Sequence, residues 1–161
     1  MDFEKRIKNF KKLHLVIFVL FSLIMLTVWS LKEFGKILPA FDASQSIVIL
    51  QYAAIFITFG GIVFGYYFYG KEQNKFKDSA LEKIKQESFY FSKKVQNIII
   101  YAVFCFDILL FVLTAEKQFA LFSAVTLIIC AVNFPTFGKF KRDYFDEDED
   151  EDSSDEEPSE N

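Results

Sequence analysis

Most catalytic chemistry rests on residues that this chain largely lacks. Among its 161 residues there is one histidine, His14, and there are two cysteines, Cys105 and Cys130. A metal centre draws several His, Cys or carboxylate ligands together, and no such spacing occurs, so neither metal nor cofactor is expected. The two cysteines lie in separate apolar stretches and read as small buried hydrophobes with no disulfide role. No Ser, Thr or Cys has a neighbouring His base, and no Gly-rich phosphate loop is present. A non-enzymatic protein is therefore expected. His14 itself, at the inner end of an apolar run, reads as an interfacial residue. Basic residues flank the apolar runs without forming a patch, so nucleic acid is not an expected partner. Glycine and proline are scarce too, six and three, and neither occurs between Lys71 and Phe134. Long helices are thus left without breakers.

What the chain has is apolar surface in blocks. Hydrophobic residues make up 52% of it, 22 of them Phe, and the mean hydropathy is +0.22. Leu13 to Leu31 carries no charge. Ile47 to Tyr69 is a second such block, Ile98 to Thr114 a third, and Phe119 to Phe134 a fourth. A helix rises about 1.5 Å per residue and a bilayer core is about 30 Å thick, so roughly 20 residues span it. The blocks predict an all-α membrane protein with four transmembrane helices, about 13–31, 47–69, 95–115 and 119–137, in an up-and-down bundle. Blocks three and four cannot form one span, because Glu116 and Lys117 would then lie in lipid. A tight turn at 115–118 keeps them out. The first block is read as an anchor: it is long for a signal peptide, and bulky residues follow it where a cleavage site needs small ones.

Positive charge sets the orientation. Five Lys and Arg precede the first span, seven lie between spans two and three, and three follow the fourth. The two other loops hold only three. The basic side is cytoplasmic, so both termini are expected inside, in the inner (plasma) membrane. Trp29, Tyr66 to Tyr69 and Phe89 to Phe91 read as interface anchors. "SALE", Ser79 to Glu82, has the form of a capping box, and Leu81, Ile84, Ser88, Phe91 and Val95 follow with helical spacing. A cytoplasmic helix over about 80–94 is expected to run into span three as a stem. Residues 1–142 thus form the membrane domain. The last 19, 143–161, hold twelve acidic residues and no basic one; without them the formal charge would be +8 in place of −4. Such a block repels itself and reads as a disordered tail. It would be a neutralising cover for the basic face, or a lure for a basic partner.

Polar side chains within the spans need a reason. An Asp at the centre of a membrane helix costs about 2.5–3.5 kcal/mol, and Asp107 lies near the middle of span three. Ser22, Thr58 and Thr126 lie at similar depth in the other three. In span two, Gln51, Ala54, Thr58, Gly61 and Gly65 recur on one face; small residues there let helices approach closely, and Gly61 to Gly65 is a GxxxG motif. In span four, Ser123, Thr126, Cys130 and Asn133 do likewise. These stripes are the expected faces toward span three. Asp107, with Thr58 and Thr126, is the candidate proton or ion site. The competing reading is a neutral carboxyl that hydrogen-bonds to a threonine and fixes the packing. Ala54, Gly61 and Gly65 are the candidate packing residues. The expected partners are the bilayer and a second copy or another membrane component.

Three segments carry a resemblance: "SIVILQYAAIF" opening span two, the short turn in "LTAEKQFALF", and the Pro-Thr of "NFPTFGKFKRD" ending span four. Over roughly residues 10–143 the chain resembles uncharacterised four-span bacterial inner-membrane proteins. The resemblance implies the architecture and brings no activity. Members of that family more often carry Arg before the Pro and a basic residue soon after it. Here Phe134 and Phe137 stand in those places, and the acidic tail is an addition.

Overall fold

The structure, a computed structural model, describes residues 3–35 and 47–145. Among these residues it is all-helical: α1 (Phe3–Glu33), α2 (Ile47–Phe76), α3 (Glu82–Thr114), α4 (Lys117–Val132) and α5 (Phe137–Phe145). α1, α2 and α3 are each long and apolar enough to cross a membrane, and α4 with α5 would make a fourth, broken span.

The contacts between helices give the topology. Thr58 meets Asp107 and Gly61 meets Val103, so α2 and α3 run antiparallel. His14 meets Tyr101 and Trp29 meets Phe111, so α1 and α3 run parallel. Phe59 meets Phe122 and Tyr66 meets Asn133, which makes α2 and α4 parallel as well. Consecutive helices therefore alternate in direction, with α3 most heavily enclosed.

α3 begins later than the capping box predicts. Its N-cap is Leu81, with no side-chain cap, and the Ser79 hydroxyl accepts instead from the Leu81 amide at 3.3 Å. From there the stem and the span form one unbroken helix of 33 residues. The face turned inward is also not the expected one. Leu81, Ile84 and Phe91 are exposed, whereas Ser88, Phe89, Ser92, Lys93, Gln96 and Asn97 are buried. The apolar stripe marks the outside here, because the neighbours across the interior offer Tyr69, the Glu72 carbonyl and Tyr144, which take the Lys93 and Ser88 side chains. Tyr69 and Phe89 are accordingly core residues in place of interface anchors. They form an aromatic cluster with Phe3, Phe140 and Tyr144 at the end of the bundle that carries the basic residues.

The turn between α3 and α4 is tight. Ala115 closes α3 in the left-handed region, φ 55°, its amide bonded to the Phe111 carbonyl at 2.8 Å. α4 is shorter than 119–137. It ends at Val132, and after the Pro135 break α5 departs at 77°. Proline lacks the amide needed to continue the ladder and disfavours helix in the residue before it. α5 extends through Asp143, Tyr144 and Phe145, so the first three residues of the expected tail are helical, with Tyr144 buried. The rest of the tail, 146–161, lies outside the described residues, as does 36–46 between α1 and α2.

Candidate functional site

The buried face of α3 carries the polar groups of the interior in three stations. The outermost is Asp107, which is fully buried, as are Thr58 and Thr126. Thr58 Oγ1 donates to Asp107 Oδ1 at 2.7 Å, and Thr126 Oγ1 lies 3.2 Å from Oδ2. One carboxyl thus joins α2, α3 and α4. Thr126 Oγ1 is also 3.0 Å from the Phe122 carbonyl. A hydroxyl has only one proton to donate. If Thr126 spends it on that carbonyl, Asp107 must supply the proton between Oδ2 and Oγ1. The geometry fits both a carboxylate accepting from the two threonines and a neutral carboxyl donating to Thr126.

The α2 stripe meets α3 as the spacing proposes, whereas in the fourth-span stripe Thr126 meets α3, Cys130 meets His14 of α1 and Asn133 meets Tyr66 of α2. Ala54 is fully buried, and a Cβ placed on Gly61 would stand 2.7 Å from Val103 Cγ2. Gly65 faces Gln96 and Ile99 at 3.7 Å. The GxxxG is therefore consumed within the chain. In α4 Ser123, Thr126 and Cys130 are buried, as is Asn133 just beyond its end. Ser22 does not join Asp107; its hydroxyl returns to the Phe18 carbonyl at 2.9 Å. Cys105 is exposed, contrary to its reading as a buried hydrophobe; Cys130 is buried, and both are free thiols.

The second station centres on His14, which is fully buried within the bundle. Its Nε2 lies 2.9 Å from the Cys130 carbonyl. A carbonyl only accepts, so Nε2 carries the hydrogen and Nδ1 of the neutral ring is an acceptor. Asn97 Nδ2 lies 3.1 Å from Nδ1 and the Tyr101 hydroxyl lies against the same atom, so the two donors share its single lone pair. Phe134 packs edge-on at 4.5 Å. Between this station and Asp107 lie Ile100 and Val103, and Phe104 stacked on Phe21 at 4.3 Å.

The third station is Lys93, 4% exposed. Its ammonium sits 3.9 Å from the Tyr69 ring centroid and donates to Gln96 Oε1 at 3.0 Å. A cation over an aromatic face gains from the ring quadrupole. Tyr69 in turn donates to the Asp143 carboxylate, and Gln73 to the Asp143 carbonyl, which fastens α5 to α2. Burial, with Lys139 nearby, pushes the Lys93 ammonium from 10.5 down to about 8.

Sequence spacing points to Asp107, Thr58 and Thr126 but misses His14, Asn97, Tyr101 and Lys93. One signal for the second and third stations was present: Ser88, Ser92 and Gln96, with Lys93 and Asn97, repeat every four residues. Among the described residues no three His, Cys, Asp or Glu side chains converge as metal ligands. Comparison of the chain with family models, curated proteins and solved structures found no match.

Proposed function

We propose that the chain is a four-span integral protein of the plasma (inner) membrane, with both termini cytoplasmic, and that its role is non-enzymatic: it packs with itself or with another membrane component. The observation that carries this is the inversion of polarity. Leu, Val, Ile and Phe side chains cover the outside, Phe56 at 80% exposure and Leu26 at 64%, while Asp107, His14, Gln96, Asn97, Thr58 and Thr126 fill the inside. In water so large an apolar exterior would drive association. In lipid the same surface is solvated, and buried hydrogen bonds hold the helices together. α4 followed by α5 would be the fourth span, its Pro135 break lying toward the basic side. Asp107 and His14, the groups best suited to chemistry, are each already paired with side chains of this chain.

The second reading makes Asp107 a protonatable or ion-binding site in a small transporter or ion-coupled subunit. It draws on the carboxyl's place among three helices at mid-depth. One experiment separates the two: labelling in membranes with a hydrophobic carbodiimide from pH 5 to 9, with Asp107→Asn as control. Uniform labelling across the range is the outcome expected of the packing reading, in which the carboxyl stays neutral and hydrogen-bonded to a threonine. A midpoint between about pH 6 and 8 would move the assignment to transport, since an unperturbed Asp titrates near 3.9. Asp107→Asn should leave the fold intact, because the amide can accept from Thr58 and donate to Thr126. Asp107→Leu should cost about 1–2 kcal/mol.

A further inference from the structure

The end of the bundle that carries the basic residues is strongly cationic. Among the described residues it holds fifteen Lys and Arg against six Asp and Glu, an excess of nine. Lys5, Lys8, Lys71 and Lys83 are exposed there, and none has an ion-pair partner among the described residues. The chain that continues past α5, residues 146–161, holds eleven Asp and Glu and no cation. α5 delivers that segment into the middle of the cationic surface. Phe140 packs on Phe3 of α1 at 4.8 Å, Gln73 of α2 donates to the Asp143 carbonyl, and Tyr144 meets Ser88 of α3 at 3.0 Å. The Phe145 ring centroid then lies 4.5 Å from the Lys85 ammonium, which also donates to the Tyr144 carbonyl at 3.3 Å.

Asp146 and Glu147 follow the C-terminus of α5, where the helix dipole is negative and a carboxylate is disfavoured unless a cation is close. Lys85 stands at that terminus. Sixteen residues span about 22 Å as a coil, roughly twice the width of a helix, so the basic ends of α1, α2 and α3 are all within reach. Tethering also holds the carboxylates at a local concentration on the order of millimolar, which a free polyanion must exceed to compete. We propose that residues 146–161 dock on the basic face of their own chain, over Lys5, Lys8, Lys71, Lys83 and Lys85. The excess of nine positive charges on that face nearly cancels the eleven acids of the segment. Basic residues beside a membrane attract anionic headgroups; here the chain's own acids hold the place that headgroups would take. The contact stands whichever side of a membrane the termini face.

A full-length variant carrying Asp146→Asn, Glu147→Gln, Asp148→Asn, Glu149→Gln, Asp150→Asn, Glu151→Gln and Asp152→Asn changes no residue of α1 to α5. The wild type and this variant would be acetylated in mixed micelles of a zwitterionic detergent and phosphatidylglycerol, with each lysine's rate read by peptide mass. Lys5, Lys8, Lys71 and Lys83 should react about fivefold more slowly in the wild type, the factor that one exposed ion pair at the top of its range gives. The difference should vanish at about 1 M salt, where charges are screened within about 3 Å. Lys117, exposed at the opposite end, should react alike in both proteins. If the four lysines react as fast as Lys117 in both proteins, the face is uncovered and the proposal is overturned. Equally slow reaction in both would overturn it in favour of phospholipid headgroups. Carbodiimide cross-linking of mixed isotopically light and heavy wild-type chains should join carboxylates of 146–161 to these lysines within one chain. Light-to-heavy links at the random proportion would overturn it in favour of a second copy.

Discussion

α1 and α3 are nearly the same length, 31 and 33 residues, and their apolar stretches are equally hydrophobic. Yet α1 buries five residues and α3 thirteen. The difference lies in what each helix carries inward. α1 offers one buried polar side chain, His14, among Phe3, Ile7, Phe10 and Phe21. α3 offers Ser88, Ser92, Lys93, Gln96, Asn97, Asp107 and Thr114. In lipid, apolar residues gain little from facing a neighbouring helix, because acyl chains are as apolar as Leu. Polar and small residues decide which helix stands at the centre. Of two similar apolar rods, the one with the polar stripe is enclosed and the other stands at the rim.

Substitutions can break that contrast, and their effects should fall in a definite order under detergent-titrated unfolding. Gly61→Leu should act most strongly, at about 3 kcal/mol or more, because its side chain must displace Val103 from the α2–α3 contact. Next comes His14→Leu, at about 1–2 kcal/mol, which strands the Asn97 amide and the Tyr101 hydroxyl and unties α1 from α3 and α4. If His14→Leu proved harmless, α1 would be held by its phenylalanines and by Arg6, which pairs with Glu87 and lies over the Tyr90 ring. Lys93→Met sharpens the comparison through pH. The folded chain holds Lys93 near 8 against an ordinary 10.5, so the unfolded chain binds more protons between these values. Stability should therefore rise as pH climbs through that window, and Lys93→Met should flatten the slope. Last, Leu23→Ala on the outward face of α1, 57% exposed, should stay within about 0.5 kcal/mol.

Much of this arrangement can be read from the chain itself, and the gaps have physical causes. Asp107 stands out because charge is scarce in its block, and the spacing of Thr58, Gly61 and Gly65 names the face that meets it. The turn at Ala115 follows from Glu116 and Lys117, which have no place in lipid. His14 is hidden because it follows Lys11 and Lys12 at the end of an apolar run, where an interfacial side chain looks the same. Its partners stand 83 to 116 residues away. The inward face of the stem is misread for a different reason. Leu81, Ile84 and Phe91 keep the period of a soluble core, but here that stripe faces outward, and the period alone carries no sign. Pro135 announces a break, yet the direction of α5 depends on Tyr69 and Gln73 meeting Asp143 across the chain.

α3 runs from Glu82 to Thr114 without a glycine, a proline or an interruption, a rod of about 50 Å. Asp107 is fixed near one end of it, and Lys93 and Ser88 near the other. Such a rod has no joint at which to absorb a twist. If the Asp107 station turned by one residue's pitch, about 100°, Asn97 would swing off His14 and Lys93 off Tyr69 in the same movement. The three stations are therefore geared together on one shaft, and none can change its hydrogen bonds by rotation while the others keep theirs.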